Sequence, residues 1–295
     1  MNTAMRKRRS MLYVPGNNAS MVQQAGVYGA DCVLLDLEDA IAPSEKDAAR
    51  VLLKYSIPTV NFYGAEVTVR VNHLDTPFGL EDLQVIVPIQ PDALRLPKME
   101  TPEDVLRVVR TVESIEKQHN LPHDHLKFQV MIETAIGVEN ALDIARSSPR
   151  IHAITIGGQD LAADMGIILE KGSQGLDYAS KRIVMAAKAA RIEAMDTVFV
   201  DVEDEDGLRE ATRYAKEIGF TGKAAINPRQ IEVINAVFTP SEEDIEKAID
   251  IISAYNRHKA NGVGVFAIRG KMVDAPIVTR ALHLLELADI DSKTL

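Results

Sequence analysis

Residues 128–160 read FQVMIETAIGVENALDIARSSPRIHAITIGGQD and contain one complete strand–helix–strand pattern. The apolar runs Phe128–Ile132 and Ala153–Ile156 are typical of strands that are covered on both faces. Gly137–Arg146 lies between them and is predicted to be a helix. Two strands joined by a helix indicate a parallel βαβ unit, the repeating element of α/β proteins.

The same alternation extends from this unit in both directions along the chain. The predicted strands are Ser10–Val14, Cys32–Leu37, Val67–Val71, Ala93–Leu96, Phe128–Ile132, Ala153–Ile156, Val198–Val202 and Ala224–Ile226. The predicted helices between and after them are Ala19–Tyr28, Ser44–Lys54, Thr101–Gln118, Gly137–Arg146, Leu176–Ala190, Glu205–Ile218 and Pro228–Val237. Eight βα units in about 240 residues indicate a closed (β/α)8 TIM barrel. A doubly wound sheet shares the local pattern and is the alternative.

The chain continues beyond the predicted barrel. Ser241–Ala260 is predicted to be a helix with a Ser-x-x-Asp start, and a last helix is expected at Ala275–Ala288. The sequence contains no internal repeat and no linker-like tract. We therefore predict one domain over residues 1–295, of which about 239–295 form a C-terminal helical extension and lid.

Charge and composition exclude several classes of function. The formal net charge of −10 disfavours general binding to nucleic acid or anionic lipid, which need a basic surface, although it is compatible with an anionic small substrate. No apolar run reaches the roughly 18 residues of a membrane span. The single cysteine, Cys32, has apolar neighbours and is predicted to be a buried structural thiol. A cytoplasmic enzyme without nucleic-acid or membrane partners is expected.

Polar side chains stand where several predicted strands end. Arg70, Lys98, Glu133 and Asp160 mark the ends of the third to sixth strands. Active sites of (β/α)8 barrels lie at this face, so these side chains are expected to converge. Carboxylates on neighbouring strands suit Mg²⁺, and the arginine fork suits a substrate carboxylate. Glu133 and Asp160 are therefore the predicted metal ligands, with Arg70 and Lys98 as candidate substrate-binding residues.

Structural roles compete with these assignments. Glu133 and Asp160 could each cap a helix or turn, and Arg70 could be the ion-pair partner of Asp36 or Glu38. The Gly157-Gly158 pair offers close backbone approach to a ligand but also suits a tight turn.

Other kinds of site find little support in the sequence. Three histidines, His119, His123 and His125, lie in one loop on the opposite face of the predicted barrel, which disfavours a zinc site. No GxGxxG, P-loop or GxSxG pattern occurs, so no nucleotide cofactor and no serine nucleophile are expected.

Eight motifs, in order along the chain, resemble the citrate lyase β-subunit family within the wider group of citrate, malyl-CoA and citramalyl-CoA lyases. The matching segments are Arg9–Asn18 (RSMLYVPGNN), Asp36–Pro43 (DLEDAIAP), Val69–Asn72 (VRVN), Leu96–Lys98 (LPK), Ile132–Thr134 (IET), Gly157–Leu161 (GGQDL), Gly222–Pro228 (GKAAINP) and Gly270–Pro276 (GKMVDAP). The resemblance spans nearly the whole chain. Its motifs are specific to the wider group of lyases, but they are less decisive about which substrate a member of the group cleaves.

The resemblance implies a trimeric or hexameric barrel that binds Mg²⁺. It assigns Glu133 and Asp160 to the metal, Arg70 to the substrate carboxylate, and Asp274 to a lid that in some relatives reaches a neighbouring subunit's site. Many relatives carry an arginine in the loop after the first strand, where this chain has Asn18. The pair Asn17 and Asn18 looks like the citrate lyase version of this loop and is expected, with Gly158, to contact substrate.

The implied reaction is cleavage of a citryl thioester to oxaloacetate and an acetyl thioester. The thioester would be carried on CoA or on the prosthetic group of an acyl carrier protein subunit, with a separate transferase subunit as a further partner. Asp274 is the first candidate for acid–base catalysis and Glu38 the second, although Asp274 could instead cap the last helix. Replacing Arg70 with alanine is expected to abolish turnover and leave the fold intact.

Four alternative functions stay open at this point. The chain could cleave malyl-CoA or citramalyl-CoA, or run a condensation like that of malate synthase. It could be a metal-dependent pyruvate aldolase that needs no thioester. It could also be a non-catalytic scaffold subunit, although a scaffold would have no need for Glu133, Asp160 and Arg70 together.

Overall fold

The protein is represented by a computed structural model that describes residues 6–123, 125–170, 172–260, 265–268 and 270–292. The chain forms two compact units, one of Arg8–Ala236 and one of Val237–Leu295 with the N-terminal residues through Lys7. The start of the second unit lies close to residue 239, where the C-terminal extension was predicted to begin. A role of that unit as a lid stays a prediction.

Eight parallel strands form a closed barrel in the larger unit, in sequential order with β8 paired to β1. The strands are β1 Ser10–Pro15, β2 Cys32–Asp36, β3 Glu66–Arg70, β4 Ala93–Leu96, β5 Lys127–Ile132, β6 Ile151–Ile156, β7 Glu193–Asp196 and β8 Gly222–Ala225. Closure confirms the predicted (β/α)8 barrel and excludes the doubly wound sheet. All residues of β2, β3, β4 and β8 are buried, as expected for strands enclosed by a layer of helices.

Helices follow the strands along the chain. They are α1 Ala19–Gln24, α2 Lys46–Ser56, α3 Gly79–Ile86, α4 Pro102–Gln118, α5 Ala135–Glu139, α6 Ala141–Arg146, α7 Gly158–Asp164, α8 Asp177–Ala190, α9 Glu205–Ile218 and α10 Arg229–Phe238. The sequence signals at α4 are confirmed, since Thr101 caps it in a capping box with Asp104 and Pro102 occupies its first turn.

The predicted seventh strand is wrong. Val198–Val202 lies outside the sheet, and β7 is instead Glu193–Asp196, which pairs with β6 and β8. The apolar character of Val198–Val202 is misleading because Val200 is 59% exposed in a loop. The real strand carries acidic residues at both ends, but its Ala194 and Met195 are fully buried. Pairing with neighbouring strands outweighs local composition here.

Two short helices were not predicted at all. They are α3 and α7, and α7 directly follows the Gly157-Gly158 pair. The predicted helix Gly137–Arg146 also differs, because the chain forms α5 and α6 with Asn140 at the junction between them.

The barrel interior contains a chain of polar contacts. Arg8 forms a 2.6 Å ion pair with Glu66 at the start of β3. Gln129 donates from its amide nitrogen to Glu66 at 2.7 Å and accepts from Arg95 with its amide oxygen at 2.6 Å. Arg95 and Gln129 are both fully buried and face each other on neighbouring strands. These contacts give partners to polar groups that would be costly to bury alone.

The described residues of the C-terminal unit include two helices and a hairpin. They are α11 Glu242–Ala260, the antiparallel strands β9 Phe266–Ile268 and β10 Lys271–Val273, and α12 Ala275–Leu287. Ile252, Phe266, Val278 and Leu285 belong to its apolar core. Across the described part of the chain, no helix has the length and apolar character required to cross a membrane.

Candidate active site

A cavity of about 320 Å³ lies at the carboxyl ends of the barrel strands. Each strand, or the loop that follows it, contributes at least one lining residue. The lining residues that carry polar side chains are Tyr13, Asp36, Asp39, Arg70, Arg95, Thr155, Gln159, Asp160, Asp196 and Thr197. The position agrees with the face at which barrel enzymes hold their substrates.

Glu133 lies beside this cavity as a buried carboxylate with one oxygen unused. Its Oε2 accepts a 2.7 Å hydrogen bond from the backbone N–H of Lys98, whereas its buried Oε1 has no hydrogen-bond partner. Burial, followed by repulsion from Glu38 and Asp160, raises the pKa of Glu133 to about 8. An unpartnered buried oxygen with a destabilised charge is a position at which a cation would bind favourably.

Gly157 explains how Glu133 fits at this position. A β-carbon on Gly157 would stand 2.5 Å from Cγ and 2.7 Å from Oε1 of Glu133, closer than atoms can approach. Gly157 itself lines the cavity, so Glu133 lies directly behind a backbone segment without a side chain. The glycine therefore leaves the space that the Glu133 carboxylate occupies.

Asp160 is the second predicted metal ligand, and it reaches the cavity from the first turn of α7. The proposed capping role of Glu133 is wrong, because the Oγ1 of Thr134 caps α5 by accepting from the N–H of Gly137 at 3.2 Å. Neither carboxylate is needed to start a helix, since no side chain caps α7.

These two carboxylates fit Mg²⁺ better than a transition metal. Mg²⁺ is commonly held by one or two carboxylates and keeps its other positions for water and substrate. Among the described residues, no group of three or more His, Cys, Asp or Glu side chains could hold a metal ion. Glu133 and Asp160 could therefore hold Mg²⁺ only in an open site, in which substrate oxygens complete the coordination.

Arg70 is held by protein carboxylates. Its Nε and Nη2 donate to the two oxygens of Asp36 at 2.7 and 2.6 Å, in a bidentate pair. Its Nη1 lies 2.8 Å from Oε2 of Glu38. The pairing with Asp36 and Glu38 that the sequence left open is thus present. Arg70 also lines the cavity, so its positive charge lies next to the site. Its Nε and Nη2 groups are already bound to Asp36.

Glu38 and Lys98 form a second ion pair next to Arg70. The Nζ of Lys98 lies 3.1 Å from Oε1 of Glu38, which is buried, whereas the Lys98 side chain is 45% exposed. Burial and repulsion from Asp39 outweigh Arg70 and Lys98, and raise the pKa of Glu38 to about 7. Glu38 is therefore able to exchange a proton near neutral pH, although neither it nor Lys98 is a lining residue of the cavity.

The remaining predicted substrate-binding residues differ in position. Gly158 lines the cavity, and its N–H donates to Oγ1 of Thr197 at 3.0 Å. Asn17 and Asn18 are exposed and are not lining residues. Asn18 has a structural role as the N-cap of α1, accepting from the N–H of Met21 at 3.1 Å.

Asp274 belongs to the C-terminal unit, where it is the N-cap of α12. Its Oδ1 accepts from the N–H of Ile277 at 3.3 Å, and Pro276 follows in the first turn. The capping role considered for this residue is therefore present. A role in acid–base catalysis stays a prediction.

Sequence reasoning missed several polar residues at or next to the cavity, among them Tyr13, Arg95, Asp196 and Lys223. Asp196 lines the cavity and accepts from Nζ of the buried Lys223 at 2.5 Å. Arg95 lies inside a strand, one residue before its end, so a search restricted to strand ends overlooks it. The signal that could have found it is a charged residue within the apolar run Ala93–Leu96.

The chain matches the family HpcH/HpaI aldolase/citrate lyase over residues 9–228. It belongs to this family. Among its relatives, the citrate lyase subunit beta of Leuconostoc mesenteroides subsp. cremoris is 41% identical over 284 residues, which cover 96% of this chain and 94% of that protein. The mitochondrial citramalyl-CoA lyase of Mus musculus is 33% identical, with 95% of this chain and 86% of the relative covered.

Solved structures agree with this membership. Protein CitE from Mycobacterium tuberculosis, in complex with magnesium, acetoacetate and coenzyme A, is 28% identical and superposes with a TM-score of 0.79 over 96% of this chain and 98% of that chain. The citrate lyase beta subunit from M. tuberculosis complexed with oxaloacetate and magnesium is 27% identical, with a TM-score of 0.68 over 81% of this chain and all of that chain, 100%.

Proposed function

We propose that this chain is a Mg²⁺-dependent carbon–carbon lyase that cleaves a citryl thioester to oxaloacetate and an acetyl thioester, as the β subunit of citrate lyase does. The observation that carries the proposal is the unpartnered, buried oxygen of Glu133 behind Gly157, with Asp160 at the same cavity. The likeness to citrate lyase β subunits supports the choice of substrate. Magnesium in the related M. tuberculosis structures supports the choice of metal.

Glu133 and Asp160 would hold the metal in this proposal. Bound Mg²⁺ supplies Lewis-acid stabilisation of the negative charge that develops on the substrate hydroxyl as it becomes the ketone of oxaloacetate. Arg70 contributes positive charge at the cavity wall for a substrate carboxylate. Because Asp36 holds its Nε and one Nη2 N–H in place, the guanidinium is already oriented when substrate arrives.

Two proton transfers complete the reaction. The hydroxyl proton leaves as the carbon–carbon bond breaks, and the electron pair of that bond forms the enolate of the thioester fragment. The enolate carbon then takes a proton and becomes the methyl group of the acetyl thioester. Asp274 is the first candidate for these transfers and Glu38 the second. Glu38 suits such a role because its pKa is raised to about 7.

The two roles of Asp274 can be separated by substitution. Asparagine caps helices about as well as aspartate, but it cannot transfer a proton. We expect Asp274→Asn to keep wild-type thermal stability and to lose about 100-fold in kcat. We expect Asp274→Ala to lose the same activity and, in addition, about 1 kcal/mol of stability. If Asp274→Asn turned over at a rate close to that of wild type, Asp274 would have no role in proton transfer and would serve only as the N-cap of α12.

The function itself is tested with purified protein, Mg²⁺ and citryl-CoA, and oxaloacetate is followed through coupled malate dehydrogenase. Release of oxaloacetate that stops on addition of EDTA and returns with excess Mg²⁺ is the expected result. Malyl-CoA should be cleaved much more slowly. An active preparation that is indifferent to EDTA would contradict the metal role, and cleavage of malyl-CoA alone would contradict the substrate.

Citramalyl-CoA lyase activity is the second candidate function. Relatives with that name are 32–33% identical over 95% of this chain. The same cavity would serve, since this reaction also produces a 2-oxo acid and acetyl-CoA. Parallel assays with citryl-CoA and citramalyl-CoA distinguish the two candidates by their ratio of kcat/KM. No specific observation favours a malate-synthase-like condensation, a thioester-independent aldolase or a scaffold.

Partners follow from the same proposal. As a citrate lyase β subunit, the chain would act in the cytoplasm with an acyl carrier protein subunit, whose prosthetic group carries the thioester, and with a transferase subunit. Assembly into a trimer or hexamer is part of this proposal. Mixing the chain with a carrier protein charged with a citryl group, and comparing its rate with that for citryl-CoA, identifies the preferred carrier.

A further inference from the structure

Two arginines line the cavity, and they differ in how their charges are compensated. Arg70 contacts Asp36 and Glu38 directly, so protein carboxylates offset part of its charge. Arg95, which is fully buried, has no ion pair with a carboxylate among the described residues. Arg95 donates to the amide oxygen of Gln129, and the amide nitrogen of Gln129 donates to Glu66. The amide of Gln129 therefore lies between Arg95 and that carboxylate.

The contacts of Arg95 leave it only partly satisfied. Its Nη1 donates to the hydroxyl of Tyr13 at 3.0 Å, and its Nη2 contacts Oε1 of Gln129 and Sδ of Met11, each at 2.6 Å. Its buried Nε has no hydrogen-bond partner. A buried cation without a directly contacting anion is costly, and its presence next to a ligand cavity indicates that a ligand provides the anion.

Tyr13 connects Arg95 to the cavity. The Tyr13 ring makes cation–π contacts with both arginines. Its centroid lies 5.2 Å from Cζ of Arg70 and 5.8 Å from Cζ of Arg95. Its hydroxyl accepts from Arg95, and among the described residues the acceptor for its own proton is the weak Sδ of Met131 at 3.9 Å. A carboxylate at the cavity end of Tyr13 would therefore receive a hydrogen bond from a phenol that Arg95 polarises.

The proposed substrate carries an anionic group that needs such a partner. A citryl thioester has two free carboxylates, whereas a malyl or citramalyl thioester has one. The carboxylate on the hydroxyl-bearing carbon is common to all three, and Arg70 is its partner in the proposed function. The second carboxylate, retained in oxaloacetate and absent from pyruvate and glyoxylate, has no partner in that assignment.

We propose that the Tyr13 hydroxyl, with the charge of Arg95 behind it, binds this second carboxylate and that this pair selects citryl over citramalyl thioesters. The inference rests on the proposed function for the identity of the substrate. Tyr13 makes the direct contact in this arrangement, and Arg95 supplies the charge behind it. A hydrogen bond to a charged group in a buried site is strong enough to discriminate between two substrates that differ in one carboxylate.

The test compares wild type with Arg95→Met, which keeps an unbranched side chain and removes the charge. We expect kcat/KM for citryl-CoA to fall about 100-fold, and that for citramalyl-CoA to change by less than about threefold. Arg95→Lys, which keeps the charge, should recover part of the citryl activity. Arg150→Met is a matched control. Arg150 immediately precedes β6, is buried, pairs with Glu116 of α4 and is not a lining residue of the cavity, so its replacement should not change the preference between the two substrates.

A binding measurement keeps the inference independent of turnover. By calorimetry in the presence of Mg²⁺, wild type should bind oxaloacetate at least about 30-fold more tightly than pyruvate, and Arg95→Met should lower that ratio to about 3 or less. An equal loss for both substrates and both 2-oxo acids would make Arg95 merely structural and overturn the inference. If Arg95→Met does not fold, equal wild-type affinity for oxaloacetate and pyruvate overturns it as well. Failure of wild type to cleave both citryl-CoA and a citryl-charged carrier protein would instead contradict the proposed function.

Discussion

Glu133→Gln is expected to lose at least about 1000-fold in kcat/KM while unfolding, in the absence of metal, at a temperature about 5 °C above that of wild type. The two effects have one cause. The Glu133 carboxylate is buried and repelled by Glu38 and Asp160, so its charge destabilises the fold until a cation binds. Glutamine can still accept from the N–H of Lys98, but it offers no charge to Mg²⁺.

The pH dependence of this gain in stability has a defined direction. The pKa of Glu133 is raised in the folded protein, from about 4.5 to about 8. The folded state therefore holds a proton that the unfolded chain has released, and metal-free wild type loses stability as pH rises through this window. The advantage of Glu133→Gln should be absent near pH 4, grow with pH, and be complete above about pH 8.

Thermal unfolding of both proteins at several pH values, with EDTA or with Mg²⁺, measures this effect. Mg²⁺ should stabilise wild type more at high pH, because metal binding requires the deprotonated carboxylate. It should leave Glu133→Gln unchanged. A variant that is less stable than wild type in EDTA at pH 8 would contradict the destabilising charge of Glu133. A variant that retains its Mg²⁺ response would remove Glu133 from the metal site.

Arg70→Ala is expected to abolish turnover and also to destabilise the fold, by about 3–5 kcal/mol. The sequence alone suggested that the fold would survive this change intact. The structure alters that expectation, because Arg70 is the bidentate partner of the buried Asp36 and also contacts Glu38. Removing the guanidinium leaves two buried carboxylates without their main counter-charge.

Stability and catalysis can be separated with two further variants. Arg70→Lys keeps the charge but not the fork, so it should recover much of the stability and little of the turnover. Arg50→Ala breaks a comparable buried pair with Asp82, outside the cavity lining, and should lower stability without lowering kcat. Urea unfolding and steady-state kinetics on the same samples measure both quantities. Full kcat in Arg70→Lys would show that Arg70 serves the fold through its charge alone.

Much of the fold could be predicted because parallel strands in a closed barrel are continuously apolar. β4 was predicted to the residue, and the cap of α4 followed from Thr101 and Pro102. The strand β7 could not be recognised, because Glu193 and Asp196 give it the composition of a loop. Its identity depends on backbone pairing with β6 and β8, which local sequence does not encode.

The candidate site could be predicted in part, for a related reason. Residues at or just after the carboxyl ends of the strands share one face of the barrel, and Arg70, Gly158 and Asp160 do line the cavity. Which partners satisfy each side chain depends on contacts across strands that are distant in sequence. Thus the pairing of Arg70 with Asp36 was one alternative among several, and Arg95, in the interior of β4, was overlooked.

The close approach of Gly157 to Glu133 limits how this loop can diversify. Gly157 has a φ of −92°, which any residue can adopt, so the restriction is one of space and not of backbone conformation. Every other amino acid carries the β-carbon that would displace Glu133. Changes in ligand preference within this loop are therefore expected at neighbours such as Gln159, which is exposed and lines the cavity.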